Sequence, residues 1–197
     1  KAEFQQEAQA AQAASHVLLK NEGSLLPQKA DGKRVYLHNV NAEVATANGY
    51  IVVTDLAQAD LAIVRVNAPG EQDPRFPFGS IHFGQLGFAS ADQVVQETAH
   101  EGVYRGADEY AAIQAITQAG VPMVLSVYLD RPAILTEVAP AAQVLLANFG
   151  ALDQALFDVI SGKVKASGKL PFELPSSWQA VQNQHPDVAK DSANPLY

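Results

Sequence analysis

Short, almost wholly apolar runs constrain this chain more than any other feature: Arg34 to Val40, Leu61 to Val66, Pro122 to Tyr128 and Val144 to Asn148. Runs of Val, Leu and Ile without polar alternation suit strands buried on both faces of a parallel sheet. Helical stretches lie between them. Asn41 to Asn48 reads as a short helix closed by Gly49 and followed by a brief strand at Tyr50 to Val53. Asp108 to Ala119 carries Ile113 and Ile116 on one side, Arg131-Pro132 reads as the first turn of another helix, and Leu152, Leu156, Val159 and Ile160 mark one more. Ahead of them all, Phe4, Ala8, Ala11 and Leu18 recur at helical spacing, so residues 3 to 20 read as one amphipathic helix ended by Asn21 to Gly23.

This alternation predicts an α/β fold, a mostly parallel sheet flanked by helices on both faces in a three-layer sandwich of the flavodoxin or Rossmann kind. The length, 197 residues with 48% hydrophobic content, suits one such unit spanning residues 1–197. Ligand-facing loops are then expected at the carboxyl ends of the strands. From Asn67 to Gly106 the periodicity disappears, and only Ala91 to Thr98 reads as a helical turn or two. A long insertion at residues 67–106, leaving the end of the Leu61 to Val66 strand, therefore stands where an active-site loop would stand. Residues 171–197 form a C-terminal extension beyond the last helix.

Charge and composition exclude several classes of function. The formal net charge is -8 with no long run of one sign, and the scattered Lys and Arg do not make a nucleic-acid surface. No cysteine is present, which removes disulfides, thiolate nucleophiles and sulfur-ligated metals. No apolar run approaches the roughly 20 residues a membrane helix needs. Lys1 to Glu7 lack the apolar block of a signal peptide, so a periplasmic or secreted location stays open for a longer parent.

Familiar catalytic and cofactor motifs do not fit. Gly162 to Lys169 has glycine and lysine around a short loop, but Leu170 replaces the Ser or Thr of a phosphate-binding loop and Pro171 forbids the following helix. No Gly-x-Gly-x-x-Gly follows a strand, no Gly-x-Ser-x-Gly presents a nucleophile, and His16, His38, His82, His100 and His185 lack metal-ligand spacing. His100-Glu101 reads as a solvated dipeptide rather than an acid–base pair, and Trp178 as the anchor of a terminal segment rather than a sugar platform.

Two longer stretches carry a resemblance. Ser15-His16-Val17-Leu18-Leu19-Lys20-Asn21-Glu22-Gly23-Ser24-Leu25-Leu26-Pro27 resembles the segment that opens the second domain of glycoside hydrolase family 3 enzymes. Ser161-Gly162-Lys163-Val164-Lys165-Ala166-Ser167-Gly168-Lys169-Leu170-Pro171-Phe172-Glu173-Leu174-Pro175 is similar to the segment that closes it. Between them, Ala59 to Val64 resembles the strand leading to the catalytic loop. Val127 to Pro132 resembles a later strand ending in Gly-Arg-Pro, with Asp130 where glycine is usual, and Asn148 to Ala151 resembles the strand and glycine turn near the carboxyl end.

The resemblance implies a β-glucosidase-like α/β sandwich domain that follows a barrel domain on the same polypeptide, a carbohydrate substrate and no cofactor. It implies retaining hydrolysis of terminal β-D-glycosyl residues, with one carboxylate attacking the anomeric carbon and a second acid protonating the leaving oxygen. The attacking Asp would come from the barrel, so the sandwich alone is expected to be inactive. The acid/base would follow the strand that ends near Val66, where Ala68-Pro69-Gly70-Glu71 resembles the family's loop with its glutamate. Glu71 is the first candidate and Asp73 the second, with Arg75 and His82 as substrate contacts. Lys20, Asn21 and Glu22 read as a helix end, with Asn tolerating the left-handed conformation. Ser167 to Pro171 reads as a turn into an edge strand, with Gly168 supplying unusual backbone angles. A non-catalytic binding or interaction module of the same fold is the alternative, and an uncovered apolar face would promote self-association into a homo-oligomer.

Overall fold

The computed structural model describes residues 2–72, 82–83, 86–88, 103–105, 107–185 and 187–197. Its main element is a six-stranded sheet containing β1 (Val17–Asn21), β2 (Arg34–His38), β3 (Ile51–Val53), β4 (Leu61–Asn67), β8 (Met123–Tyr128) and β9 (Val144–Asn148) in the order β1-β9-β8-β4-β2-β3. Three shorter strands, β5 (Gly70–Gln72), β6 (His82–Phe83) and β7 (Val103–Arg105), make a separate sheet ordered β6-β5-β7. The helices are α1 (Ala2–Ala14), α2 (Ala42–Ala47), α3 (Ala107–Gln118), α4 (Asp153–Ile160) and α5 (Trp178–Gln182). Every pairing from β3 to β9 in the main sheet is parallel, and β1 runs antiparallel to β9 at the edge.

The apolar runs behave as their composition requires. Along β4, Ala62, Val64 and Val66 pack into one core with Met123, Leu125 and Val127 of β8 and with Ile113 and Ile116 of α3. Leu61 and Ile63 point to the other face, where Val124, Val144 and Leu146 meet Ala13 of α1 and Leu156, Phe157 and Ile160 of α4. This period of two puts a helical layer on each side, the expected three-layer sandwich. In chain order the parallel strands run 2-1-3-4-5, the flavodoxin arrangement, and their order reverses between β2 and β4. The short helix α2 is set by its caps: Asn41 Oδ1 accepts from Glu43 N at 2.8 Å and Val44 N at 3.2 Å, and Gly49 leaves the helix at φ +89°.

Four sequence expectations need correction. The first helix stops at Ala14, and Val17 to Asn21 form edge strand β1, with Val17 opposite Ala147 and Asn21 opposite Val144. On this strand Leu18 is 42% exposed. An alanine-rich helical repeat is compatible with either outcome beyond Ala14, and pairing with β9 decides it. Lys20 and Asn21 accordingly act as strand residues. Lys20 Nζ donates to Ala139 O at 3.2 Å, and the Asn21 side chain clamps both backbone groups of Leu26 at 3.0 Å while its own φ is -147°. The left-handed residues of this turn are Gly23 and Ser24.

The segment opened by Arg131-Pro132 is a series of turns rather than a helix. Ala133, Ile134, Leu135, Val138, Ala139 and Ala142 are all buried, and Pro140 among them has no N–H to carry an i→i−4 ladder onward. Ile134 N donates to Leu86 O at 2.8 Å, which ties the start of the segment to the chain at Leu86. Gly168 is needed for room and not for unusual angles: a Cβ built there would lie 2.2 Å from Ser15 O. No edge strand follows it. Leu174 instead exchanges backbone hydrogen bonds with the chain end, N to Tyr197 O at 3.1 Å and O from Leu196 N at 2.8 Å. The fourth correction concerns residues 67–106, which hold β5, β6 and β7 where no strand was expected; the expected helical turn at Ala91 to Thr98, and His100-Glu101, lie outside the described residues.

Candidate active site

The carboxyl ends of the parallel strands converge on one edge of the sheet, and a polar frame lines it. At β9, Asn148 is buried; its Nδ2 donates to Ser126 Oγ at 2.9 Å, its Oδ1 accepts from Gly150 N at 3.2 Å, and its carbonyl accepts from Leu129 N at 2.9 Å. One residue, through its side chain and its carbonyl, therefore ties β8 and β9 to each other and to the turns that follow both. At β4, Arg65 interrupts an otherwise apolar strand. A charge there persists only if paired. Arg65 pairs with Asp153 at the start of α4 and donates through Nη2 to Ala151 O at 2.7 Å, while the same aspartate accepts from Asn41 N at 2.8 Å. Asn39 Nδ2 donates to Arg65 O at 3.2 Å. The switch point between β2 and β4 is thus laced to the amino ends of α2 and α4. Arg65, Asp153 and Asn148 were not singled out in the sequence, although a lone arginine inside Leu61-Ala62-Ile63-Val64-Arg65-Val66 was a legible sign.

The chain leaves this frame through Ala68, whose N donates to Tyr128 O at 2.9 Å, and enters β5. Glu71 is the middle residue of β5, the central strand of the small sheet, with Phe83 of β6 and Tyr104 of β7 directly opposite. His82 stands opposite Gln72, one step along in register. For Glu71 and His82 the described geometry is that of the backbone; Asp73 and Arg75 lie outside the described residues. The backbone thus brings Glu71 and His82 onto neighbouring strands within a few residues of the end of β4.

The other described histidines do not join them. His16 is 1% exposed, its Nδ1 lies 3.1 Å from both Gln12 O and Ala13 O, and burial pushes its pKa down. His38 closes β2, with Nε2 buried and without a partner among the described residues. His185 pairs with Asp191 near the carboxyl terminus. Among the described residues no group of three His, Asp or Glu could hold a metal ion. None of the described helices is long and apolar enough to cross a membrane.

A flavodoxin-order sheet whose carboxyl edge emits a small antiparallel sheet carrying a glutamate defines an α/β sandwich of the doubly wound class. Its family is given by the sequence: residues 51–197 match the glycosyl hydrolase family 3 C-terminal domain, and the chain belongs to that family. Over its whole length it is 41% identical to a periplasmic beta-glucosidase/beta-xylosidase of Dickeya chrysanthemi, covering 28% of that protein. Over 95% of its length it is 33% identical to beta-glucosidase C of Emericella nidulans, again covering 28%. The fold is that of a beta-glucosidase from Listeria innocua solved with isofagomine, with a TM-score of 0.66 at 17% identity over 94% of this chain and 29% of the other. It is equally that of a Bifidobacterium adolescentis GH3 beta-glucosidase, TM-score 0.66 at 16% identity, over 96% and 32%. The chain spans little more than a quarter of the curated relatives it matches.

Proposed function

We propose that this domain supplies the acid/base loop and part of the substrate contacts of a retaining β-glycosidase acting on terminal β-D-glucosyl or β-D-xylosyl residues. The nucleophilic carboxylate belongs to a barrel domain of the same polypeptide, outside these 197 residues. The observation that carries the reading is the placement of Glu71 on a short sheet leaving the carboxyl end of β4, beside the switch point where open α/β sheets take their ligands. The names of the relatives support the substrate class.

Retention needs two carboxyl groups about 5 to 5.5 Å apart. One attacks the anomeric carbon. The other, protonated, gives its proton to the departing glycosidic oxygen and later takes one from water. Glu71 fills the second role, Asp73 being the alternative, and Arg75 and His82 bind hydroxyls. Docking of the barrel desolvates Glu71 and places a carboxylate beside it, and both effects raise the pKa of the acid.

Glu71→Gln in the polypeptide that carries both domains tests the assignment. Turnover of cellobiose, whose departing glucose is a poor leaving group, is expected to fall by about 10²- to 10⁴-fold, the usual worth of a positioned acid. An activated aryl glucoside should lose less in the glycosylation step, and added azide should trap a glycosyl azide of retained configuration. Unchanged cellobiose turnover would move the role to Asp73 or elsewhere. The 197-residue domain alone should not turn over either substrate.

A further inference from the structure

A cavity of about 1130 Å³ opens between the Arg131-Pro132 turn after β8 and the strap formed by residues 170–185, 187–192 and Tyr197, with Leu86 on its wall. It lies at the carboxyl edge of the sheet: Phe172 on its wall packs edge-on against Phe149, the residue following β9, with ring centroids 6.4 Å apart. Its chemistry is mixed. Phe172 and Tyr197 are half-buried against the main core and offer ring surface. Around them stand Glu173, Asp187 and Lys190. Glu173 Oε2 accepts from Ser192 N at 3.2 Å, and its other oxygen and the Lys190 ammonium have no partner among the described residues. The strap is braced from within. Asp191 accepts from His185 N at 2.6 Å, Gln184 donates to Ser192 Oγ, and Leu174 pairs with Leu196 and Tyr197.

We propose that this cavity is a saccharide-binding site, one that holds a sugar ring outside the acid/base loop; the proposal rests on the glycosidase reading above. A pyranose ring has apolar C–H faces and a rim of hydroxyls, each both donor and acceptor. Aromatic wall and ionised rim match those two surfaces at once. An apolar ligand would strip water from Glu173 and Asp187 without replacing it. The rim carries both signs, Arg131 and Lys190 beside Glu173 and Asp187, so an anionic ligand would meet carboxylates as well as cations, whereas neutral hydroxyls can donate to the first and accept from the second. The hydrogen bonds bracing the strap fix the rim before a ligand arrives and reduce the ordering cost of binding.

The test uses the 197-residue chain, calorimetry, and the emission of its single tryptophan, Trp178, one turn of α5 before the lining residue Val181. Cellobiose and xylobiose are the probes, and sorbitol, which has hydroxyls but no ring face, is the control. Saturable binding of a disaccharide is expected, with sorbitol at least tenfold weaker. Glu173→Gln should weaken it by about tenfold, the loss of a charge-assisted hydrogen bond. Asp187→Asn should weaken it about threefold while Asn keeps the left-handed backbone at φ +61°. Glu71→Gln should leave the affinity unchanged. Absence of saturable binding, sorbitol binding as well as the disaccharides, or affinity lost in Glu71→Gln and kept in both cavity variants would each overturn the proposal. The last of these would leave the acid/base assignment standing, and loss of turnover in the two-domain enzyme without binding here would do the same.

Discussion

The two sheets of this domain are built on opposite principles. In the large sheet, β4, β8 and β9 are runs of Val, Leu, Ile and Ala buried on both faces, and each strand is held by neighbours on either side. In the small sheet, Gly70–Gln72, His82–Phe83 and Val103–Arg105 are two or three residues long and mix charged, polar and aromatic types. The first spends its residues on apolar burial, which scales with area and tolerates little polarity. The second spends them on groups that can exchange protons or bind hydroxyls. Stability and chemistry are therefore separable here, and variants in the two sheets should separate them.

The largest effect is expected from a pair of variants. Ile63→Ala, at a fully buried position in β4, should cost about 2 to 5 kcal/mol of stability, the range for truncating a large aliphatic side chain in a packed core. Glu71→Gln should cost turnover in the two-domain enzyme by orders of magnitude and leave the denaturant midpoint nearly unchanged. A loss of stability in Glu71→Gln comparable to that of Ile63→Ala would break the separation, because it would make β5 part of the core.

Gly168→Ala sits next in size. Its Cβ would meet Ser15 O at 2.2 Å, and the atoms in the way are backbone, which moves only by displacing α1 or the strap. Ser167 N and Gly168 N donate to Ala14 O and His16 O at 3.1 Å each, so the same shift breaks the link between the opening and closing segments. Overpacking of this kind costs about 1 to 3 kcal/mol. Urea unfolding monitored by Trp178 would read it, and an unchanged midpoint would show that the two segments are not locked together.

These cases show what sequence can and cannot convey. Leu61 to Asn67, Met123 to Tyr128 and Val144 to Asn148 were legible because burial on both faces leaves mostly apolar residues, a signal local to each strand. The strand at Val17 to Asn21 was not, because its identity depends on β9, more than a hundred residues away, and its residues tolerate a helix as well. The turns after Arg131 were misread for the complementary reason. Proline in a first turn is compatible with a helix, but a second proline, Pro140, has no N–H to continue one. At the candidate site, the departure of the loop from β4 was legible; the pairing that puts Phe83 and Tyr104 beside Glu71 was not, since strands of two or three residues carry almost no periodicity. The lone Arg65 was readable as a charge needing a partner, and Asp153 as that partner was not.

A third contrast is between two histidine and carboxylate sites whose protons follow the fold. His16 is buried and its pKa lies below the ordinary value of 6.5, through loss of solvation. The native state then holds fewer protons than the unfolded chain as pH falls below 6.5, so His16 contributes stability that is present above that value and is lost as pH falls toward its lower folded pKa. For Asp158, 3% exposed, burial pushes the carboxyl up, but hydrogen bonds from Gln9 at 2.8 Å, Gln154 at 3.0 Å and Lys163 at 3.1 Å outweigh it and hold the pKa below 3.8. Its contribution is intact above about pH 4 and is lost as pH falls further. Stability measured from pH 8 to 3 should therefore decline in two stages. His16→Gln should flatten the first and leave the second; a first stage unchanged in that variant would assign it to another group.

The smallest effect is expected at the exposed pair Arg34–Asp60, beside the edge strand β3. Asp60 is held down to about 2, chiefly by the hydrogen bond from the Arg34 guanidinium, at 2.7 Å from Nη2, and by the backbone N of Arg34 at 2.9 Å. A depressed folded pKa means stability present above the ordinary carboxylate value and lost as pH falls from about 4 to about 2, but solvent and salt screen the pair at this exposed position. Asp60→Asn keeps an acceptor for the Arg34 backbone N while removing the charge, so its melting temperature should differ little from that of the parent, and any difference should vanish in 1 M NaCl. A difference that persists in high salt would mean that the backbone hydrogen bond, which aligns Arg34 at the start of β2 for pairing with β3, is what the side chain contributes. The edge of the large sheet would then depend on a polar contact in the way that its centre depends on apolar ones.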